Sequence, residues 1–175
     1  MPGALLEPGQ GDLFEGPIRR KYVIKRHDSQ VPHHDLRLVY RGVAVSWMLL
    51  GHPCLDPQIR VEAITRPDHN PKHLYSERVI SEGLIGAGPT LVSDEGDYWF
   101  IDRFGSPIDR SLIQAKDAGR IDFCLEGYKL RGAFSLVHVR RDKWHLIKLV
   151  DKDARIDYIW NDISVRSGRT IDQIR

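Results

Sequence analysis

A chain of 175 residues has the length of a single domain and can bury a core without disulfides or a structural metal. Apolar residues at 41% and charged residues at 29% exclude a disordered chain, and no run approaches the ~18 consecutive apolar residues of a membrane span. The net charge of +2 hides an uneven distribution: residues 18–60 and 128–155 each carry eight Lys/Arg against three Asp/Glu, while residues 61–127 carry seven against twelve.

Residues 1–20 read as an N-terminal arm, rich in Gly, Pro and acid at its start. It lacks the basic and long apolar regions of a signal peptide, so a cytoplasmic protein is expected. A strand is predicted over Tyr22 to Arg26. The segment DLRLVYRGVAVSWML then alternates on both sides of Arg41-Gly42 and predicts a β-hairpin. Pro53, Pro57, Pro67 and Pro71 break up the next stretch, around a short strand from Arg60 to Thr65. The glycines at 83, 86 and 88 form a tight loop leading into a strand from Pro89 to Ser93. Asp94-Glu95-Gly96-Asp97 then reads as a hairpin turn before YWFID. A helix over Asp109 to Ala118 ends at Gly119, and IDFCLEG, KLRGAFSLVHVR and KWHLIKLV form a meander with turns near Gly127 and Arg141-Asp142. The tail starts a short helix at Thr170 and is expected to be peripheral. The fold class is mainly β: a compact barrel of short antiparallel strands with one or two short helices. The arm is residues 1–20, the barrel 21–155 and the C-terminal tail 156–175. Cys54 and Cys124 form no metal-binding spacing and are expected to stay reduced.

Six of the eight histidines fall between positions 27 and 73, and His27, His33 and His34 crowd beside Asp28 and Asp35. Imidazole and carboxylate suit Zn²⁺ or Mn²⁺. On a strand, His33, Asp35 and Arg37 share one face while Leu36, Leu38 and Tyr40 take the other. A ligand pair thus lies beside a guanidinium able to hold two phosphate oxygens, and His27 returns as a third ligand through the loop SQVP. His34 has the opposite parity and is not counted as a ligand. The bland alternative is a hairpin with one solvated face and exposed turn histidines. His52, His138 and His145 stand singly and suggest packing or exposure. If the two basic blocks share a face, that face suits a polyanion; scattered around a barrel, they do not.

The string HDSQVPHHDLRL resembles HDxxxLHYDFRL, a signature of the 3′-phosphoesterase module of bacterial ligase D, the multi-domain enzyme of nonhomologous end joining. In the same order, SWMLLGHPCLDP resembles SWAVPKGPSLDP, DHNPKHLYSERVISEGLIGAG resembles DHPLDYxxFEGVIPEGEYGAG, and LRGAFSLVHVRRDKWHLIKLVDKDA resembles LxGxFxLVxxxxxxWLLIKxxD. The resemblance spans about residues 21 to 154. It implies that His27, His33 and Asp35 bind a divalent metal, manganese first and Zn²⁺ or another transition metal as alternatives. It also implies that Arg37 and His69 engage the scissile phosphate. His69 either stabilises charge or protonates the leaving oxygen. The implied activity removes a 3′-terminal ribonucleoside, a 3′-phosphate or both from a nucleic-acid 3′ end. Its substrates are primer-template DNA or DNA with a 3′ ribonucleotide, and its product is a 3′-hydroxyl. No KxDG lysine-nucleophile motif occurs, so ligase and polymerase activities are expected from separate proteins.

The sequence departs from the family pattern at several positions. The pattern's tyrosine four residues after His69 is His73, which takes its place as a phosphate donor here, with Tyr75 nearby. Its lysine falls on Gly51, its glutamine on Lys25, and an arginine at or beside Val61, next to Arg60. Glu7-Pro8 weakly matches an acidic pair of the arm. These departures favour, as a second reading, a catalytically weakened module that binds nucleic-acid ends. A third is a β-barrel interaction protein whose histidines bind nothing.

Overall fold

A computed structural model describes residues 16–175. Its strands in chain order are β1 (Arg20–Asp28), β2 (Pro32–Tyr40), β3 (Val43–Leu49), β4 (Arg60–His69), β5 (Val79–Ile80), β6 (Gly88–Phe100), β7 (Arg120–Gly127), β8 (Arg131–Arg140) and β9 (Lys143–Lys148). All but β5 form one antiparallel barrel in the order β1-β2-β3-β4-β9-β8-β7-β6, with β6 hydrogen-bonded back to β1. Closure leaves no barrel edge to pair with another chain. The short β5 adds to the start of β6, outside the ring. Among the described residues no helix is long and apolar enough to cross a membrane.

Alternation drives this architecture. Tyr22 and Ile24 on β1, Leu36 and Leu38 on β2, Trp47 and Leu49 on β3, Phe123 on β7, Phe134 on β8 and Trp144 and Leu146 on β9 all join one interior core. Each such side chain contributes roughly 1.5–3 kcal/mol on burial. Arg41 and Gly42 both take positive φ, at 48° and 82°, the conformation of a two-residue hairpin turn that matches strand twist. The helix α1 (Leu112–Ala118) starts three residues later than expected, because the Ser111 side chain accepts from the Gln114 amide at its N-terminus. Gly119, at φ 84°, ends it as anticipated. Leu112 and Ala115 bury against the core at the end of the barrel where β6 finishes and β7 begins.

Asp94 to Asp97 is not a hairpin turn: β6 runs unbroken through it. The acidic and glycine composition serves tertiary contacts instead. Asp94 is fully buried; it accepts from the Tyr22 hydroxyl at 2.6 Å and from the Lys129 and Leu130 amides at 2.9 Å. It therefore caps the turn between β7 and β8. A Cβ on Gly96 would lie 2.1 Å from the Glu126 carbonyl oxygen, so only glycine lets β7 approach there. Between Ile24 and Lys25 the β1–β6 register slips, with Ser93 as the extra residue, which bends β6.

The tail closes the other end of the barrel, where β1 ends and β2 begins, so its role is less peripheral than its sequence suggests. Trp160 is buried, and Ile171 and Ile174 pack on Leu91. A 3-10 turn at Ile171–Gln173 stands where the short helix was expected. Asp162 accepts from Arg26 at 2.6 Å, His34 and Ser93 at 2.8 Å and the Trp160 indole at 2.7 Å. Burial pushes its carboxyl up, but the hydrogen bond and charge of His34, with Ser93 and Trp160, outweigh that and hold it well below the usual carboxylate range. A depressed folded-state pKa adds stability above the unfolded value near ~4, and that stability is lost as pH falls below it. Asp162→Ala should cost about 3 kcal/mol in urea unfolding at neutral pH. The gap between wild type and variant should narrow as pH is lowered through that range; a gap independent of pH would show that Asp162 acts by packing alone.

Candidate metal centre

The same alternation that fills the barrel turns a polar row outward. In the β1–β2 ladder His27 lies opposite His33, Lys25 opposite Asp35 and Val23 opposite Arg37, all on the outer face. His34 points the other way, to Asp162 and the ring of His52. The ligand atoms of His27, His33 and Asp35 lie within 4.8 Å of one another.

Backbone carbonyls orient both imidazoles. A carbonyl only accepts, so His33 Nδ1 donates to Val31 O at 2.7 Å, leaving Nε2 at 3.3 Å from Asp35 Oδ1. His27 Nε2 donates to Gly86 O at 2.6 Å, leaving Nδ1 as its open donor atom. Such carbonyl partners fix the tautomer of ligating histidines in metal sites. Burial lowers the His27 pKa, and the charge of His33 adds to this. At His33 burial acts in the same direction, but the hydrogen bond and charge of Asp35 prevail and raise it. At Asp35 burial pushes up, while His33 and Arg37 more than offset it and the pKa falls. A cation held here would compete with protonation of His33, which Asp35 favours. Two imidazole nitrogens and one carboxylate oxygen fit a borderline divalent metal and leave coordination room for other ligands.

Arg37 stands next to the cluster, with Nη2 3.7 Å from Asp35 Oδ2. Its Nε is buried without a hydrogen-bond partner among the described residues, so the guanidinium keeps a donor unused. His69, at the end of β4, is exposed, but its ring lies against β3: Ser46 Oγ donates to Ala44 O at 3.0 Å and so accepts from His69 Nδ1 at 3.2 Å. His69 Nε2 has no hydrogen-bond partner among the described residues. Partial desolvation, then the charge of Arg37, lowers the His69 pKa. Ser46 was missed in the sequence. The expected hairpin around Arg41-Gly42 already puts position 46 opposite Arg37, as observed, so its register was the signal that could have found it.

The positions that depart from the family pattern also have defined places. The His73 side chain is exposed, and only its carbonyl is engaged, accepting from Lys25 Nζ at 3.2 Å. Tyr75 is half-buried beneath the Arg166 guanidinium, 3.8 Å from the ring centroid. Lys25 Nζ also donates to Ser76 O at 2.7 Å, so the lysine ties the segment after β4 to the barrel. Burial, then the charge of Arg37, lowers its pKa to about 8. Gly51 faces Val61: a Cβ there would sit 3.6 Å from Val61 Cγ1, so the missing lysine and arginine belong to neighbouring positions. Arg60 is exposed beside them. Glu7-Pro8 lies outside the described residues.

Residues 25–138 match the family model described as the DNA Ligase D 3′-phosphoesterase domain. The multifunctional non-homologous end joining protein LigD of Pseudomonas aeruginosa is 31% identical over 139 residues, 77% of this chain and 16% of that protein. The LigD proteins of Mycolicibacterium smegmatis and Mycobacterium tuberculosis are 31% and 27% identical, over 85% and 89% of this chain. These alignments span 19% and 18% of the two relatives, so the chain corresponds to less than a fifth of each protein's length. With its fold, its outward cluster and a family match across most of the barrel, this chain belongs to the DNA ligase D 3′-phosphoesterase domain family.

Proposed function

We propose that the chain is a divalent-metal-dependent 3′-phosphoesterase that heals nucleic-acid 3′ ends, removing a terminal ribonucleoside, a 3′-phosphate or both to leave a 3′-hydroxyl. The observation that carries this reading is the convergence of His27, His33 and Asp35 with Arg37 and His69 on one outward face. A divalent cation, manganese first, held by His27, His33 and Asp35 supplies charge neutralisation and a more acidic water at the phosphoester. Arg37 binds non-bridging oxygens through donors that lack a full protein partner, and so stabilises charge as the ester breaks. His69, oriented by Ser46, presents Nε2 to the same face. Partial burial and the charge of Arg37 hold its pKa below the ordinary histidine value, so its service as an acid is strongest on the acidic side.

The names of the relatives, with non-homologous end joining and DNA repair in them, support DNA ends as the substrate, and a cytoplasmic setting is part of the same proposal. The polymerase and ligase steps then come from elsewhere. A second reading, a module that binds ends with weakened turnover, is favoured by one observation: Tyr75 is covered by Arg166 and His73 faces solvent. Neither position supplies the hydroxyl of the family pattern.

Incubation with Mn²⁺ and matched primers ending in a 3′-phosphate or a 3′-ribonucleotide separates the two readings, since binding without product supports the second. His33→Ala and Asp35→Ala should each lose more than the ~10–100-fold that removal of an outer partner costs. Both should melt close to wild type, because these side chains face out of the barrel; full activity in either would remove the metal centre. Ser46→Ala should lower kcat by about tenfold or more with little change in KM. A variant as active as wild type would mean that His69 needs no orientation. His73→Ala should stay within about twofold of wild type across pH 6 to 9, and a lost alkaline or acidic limb in its rate profile would show that the imidazole takes part.

A further inference from the structure

One cation close to the centre has no assigned role. Arg66, on β4, pairs in register with Ser46 on β3, which itself lies opposite Arg37 on β2. Arg37, Ser46 and Arg66 thus form a row across three neighbouring strands, with the serine that orients His69 in the middle. Arg66 is exposed and forms no ion pair or side-chain hydrogen bond with any described residue. The arginines of β1 and the one just before it are neutralised by contrast: Arg19 pairs with Glu126, Arg20 with Asp109 and Arg26 with Asp28. The positive charge of Arg66 is felt at both His33 and His69, where it disfavours the imidazolium. A guanidinium near two site histidines and free of carboxylates is in place to meet an anion held between them.

On the reading proposed above, we infer that Arg66 is a second phosphate-binding guanidinium of this site and selects a terminal 3′-phosphomonoester, the more highly charged end, over a phosphodiester or a plain 3′-hydroxyl. The reason lies in charge. A terminal monoester carries close to two negative charges near neutral pH, a diester one. Arg37 has part of its charge offset by Asp35, whereas Arg66 adds an uncompensated unit on the other side of Ser46. Its contribution therefore grows with the charge of the end.

The test measures binding, so that it does not depend on turnover. Fluorescence anisotropy in EDTA compares one duplex ending in a 3′-phosphate with the same duplex ending in a 3′-hydroxyl, for wild type, Arg66→Ala, Arg66→Lys and Arg41→Ala. Arg41, on the β2–β3 turn, is another exposed arginine without a carboxylate partner among the described residues and controls for general backbone attraction. Arg66→Ala should weaken binding of the phosphorylated end by about tenfold and of the hydroxyl end by less than about twofold. Arg66→Lys should recover part of the loss, and Arg41→Ala should shift both ends alike. Equal losses on both ends, or none, with Arg66→Ala would overturn the inference. If wild type releases phosphate with Mn²⁺ but Arg66→Ala discriminates as wild type does, the inference fails and the phosphoesterase reading stands. If wild type releases nothing yet prefers the phosphorylated end through Arg66, the inference stands and the reading as an enzyme fails.

Discussion

Everything in this molecule depends on the register between β1 and β2. With His27 opposite His33 and Lys25 opposite Asp35, Tyr22, Ile24, Leu36, Leu38 and Tyr40 enter the barrel and every candidate ligand leaves it. A slip of one residue would send Leu36 and Leu38 into solvent and His33 and Asp35 into the core. The cost of exposing two large aliphatic chains and burying a carboxylate makes that slip prohibitive. The same packing that stabilises the fold therefore holds the ligand geometry. Closure of the sheet through β6 reinforces this, since β1 is hydrogen-bonded on both sides and cannot slide against either neighbour.

The barrel wall gives only half of the site, and the segment from His69 to Gly88 supplies the rest. It is fastened at several points. Lys25 reaches it from the wall through the carbonyls of His73 and Ser76, and Glu77 accepts from the Val92 amide at 2.8 Å and the Ser164 hydroxyl at 2.5 Å. Leu74 and Tyr75 pack with Val23, Ala44, Val92 and the tail residue Val165 in a small apolar cluster on the outside of the barrel. Gly86 returns to the candidate metal centre, its carbonyl holding His27. Lys25 occupies a buried position at which the family pattern has a neutral amide, and its ammonium is tolerated because the carbonyls around it replace lost water.

How much of this was legible in the sequence depends on the range of each interaction. Alternation is a local signal, so β1, β2, β3 and the final meander were readable, as was the shared face of His33, Asp35 and Arg37. Asp94 to Asp97 was misread because turn composition is also what a buried cap and a close strand approach require, and the partners, Tyr22, Lys129 and Gly127, are more than 30 residues away. The role of the tail was hidden for the same reason: Asp162 acts on Arg26, His34 and Ser93, none of them near it in sequence. Ser46 lay within reach, as the register of a two-residue hairpin fixes which residue faces Arg37. Tyr75 was not, because only the folded tail brings Arg166 over its ring.

The charge pattern gains its meaning only in three dimensions. Counted along the chain, the first basic block suggests a broad positive surface, but the acidic block supplies its partners: Asp97 and Glu126 face Arg19, Asp97 faces Lys21, and Asp109 faces Arg20. In the second block Glu62 meets Lys143 at the surface and Asp151 meets the buried Lys148, while the other lysines and arginines have no ion pair among the described residues. Exposed pairs of this kind add little stability, yet they cancel charge at short range and so remove much of the non-specific attraction that a polyanion would feel. Around the histidine cluster Arg37 shares its charge with Asp35 alone, and Arg66 has no carboxylate within ion-pair reach among the described residues. Unpaired guanidinium charge beside the cluster of His27, His33 and Asp35 gives a local positive field, and such a field is strongest where charge is unpaired and partly desolvated.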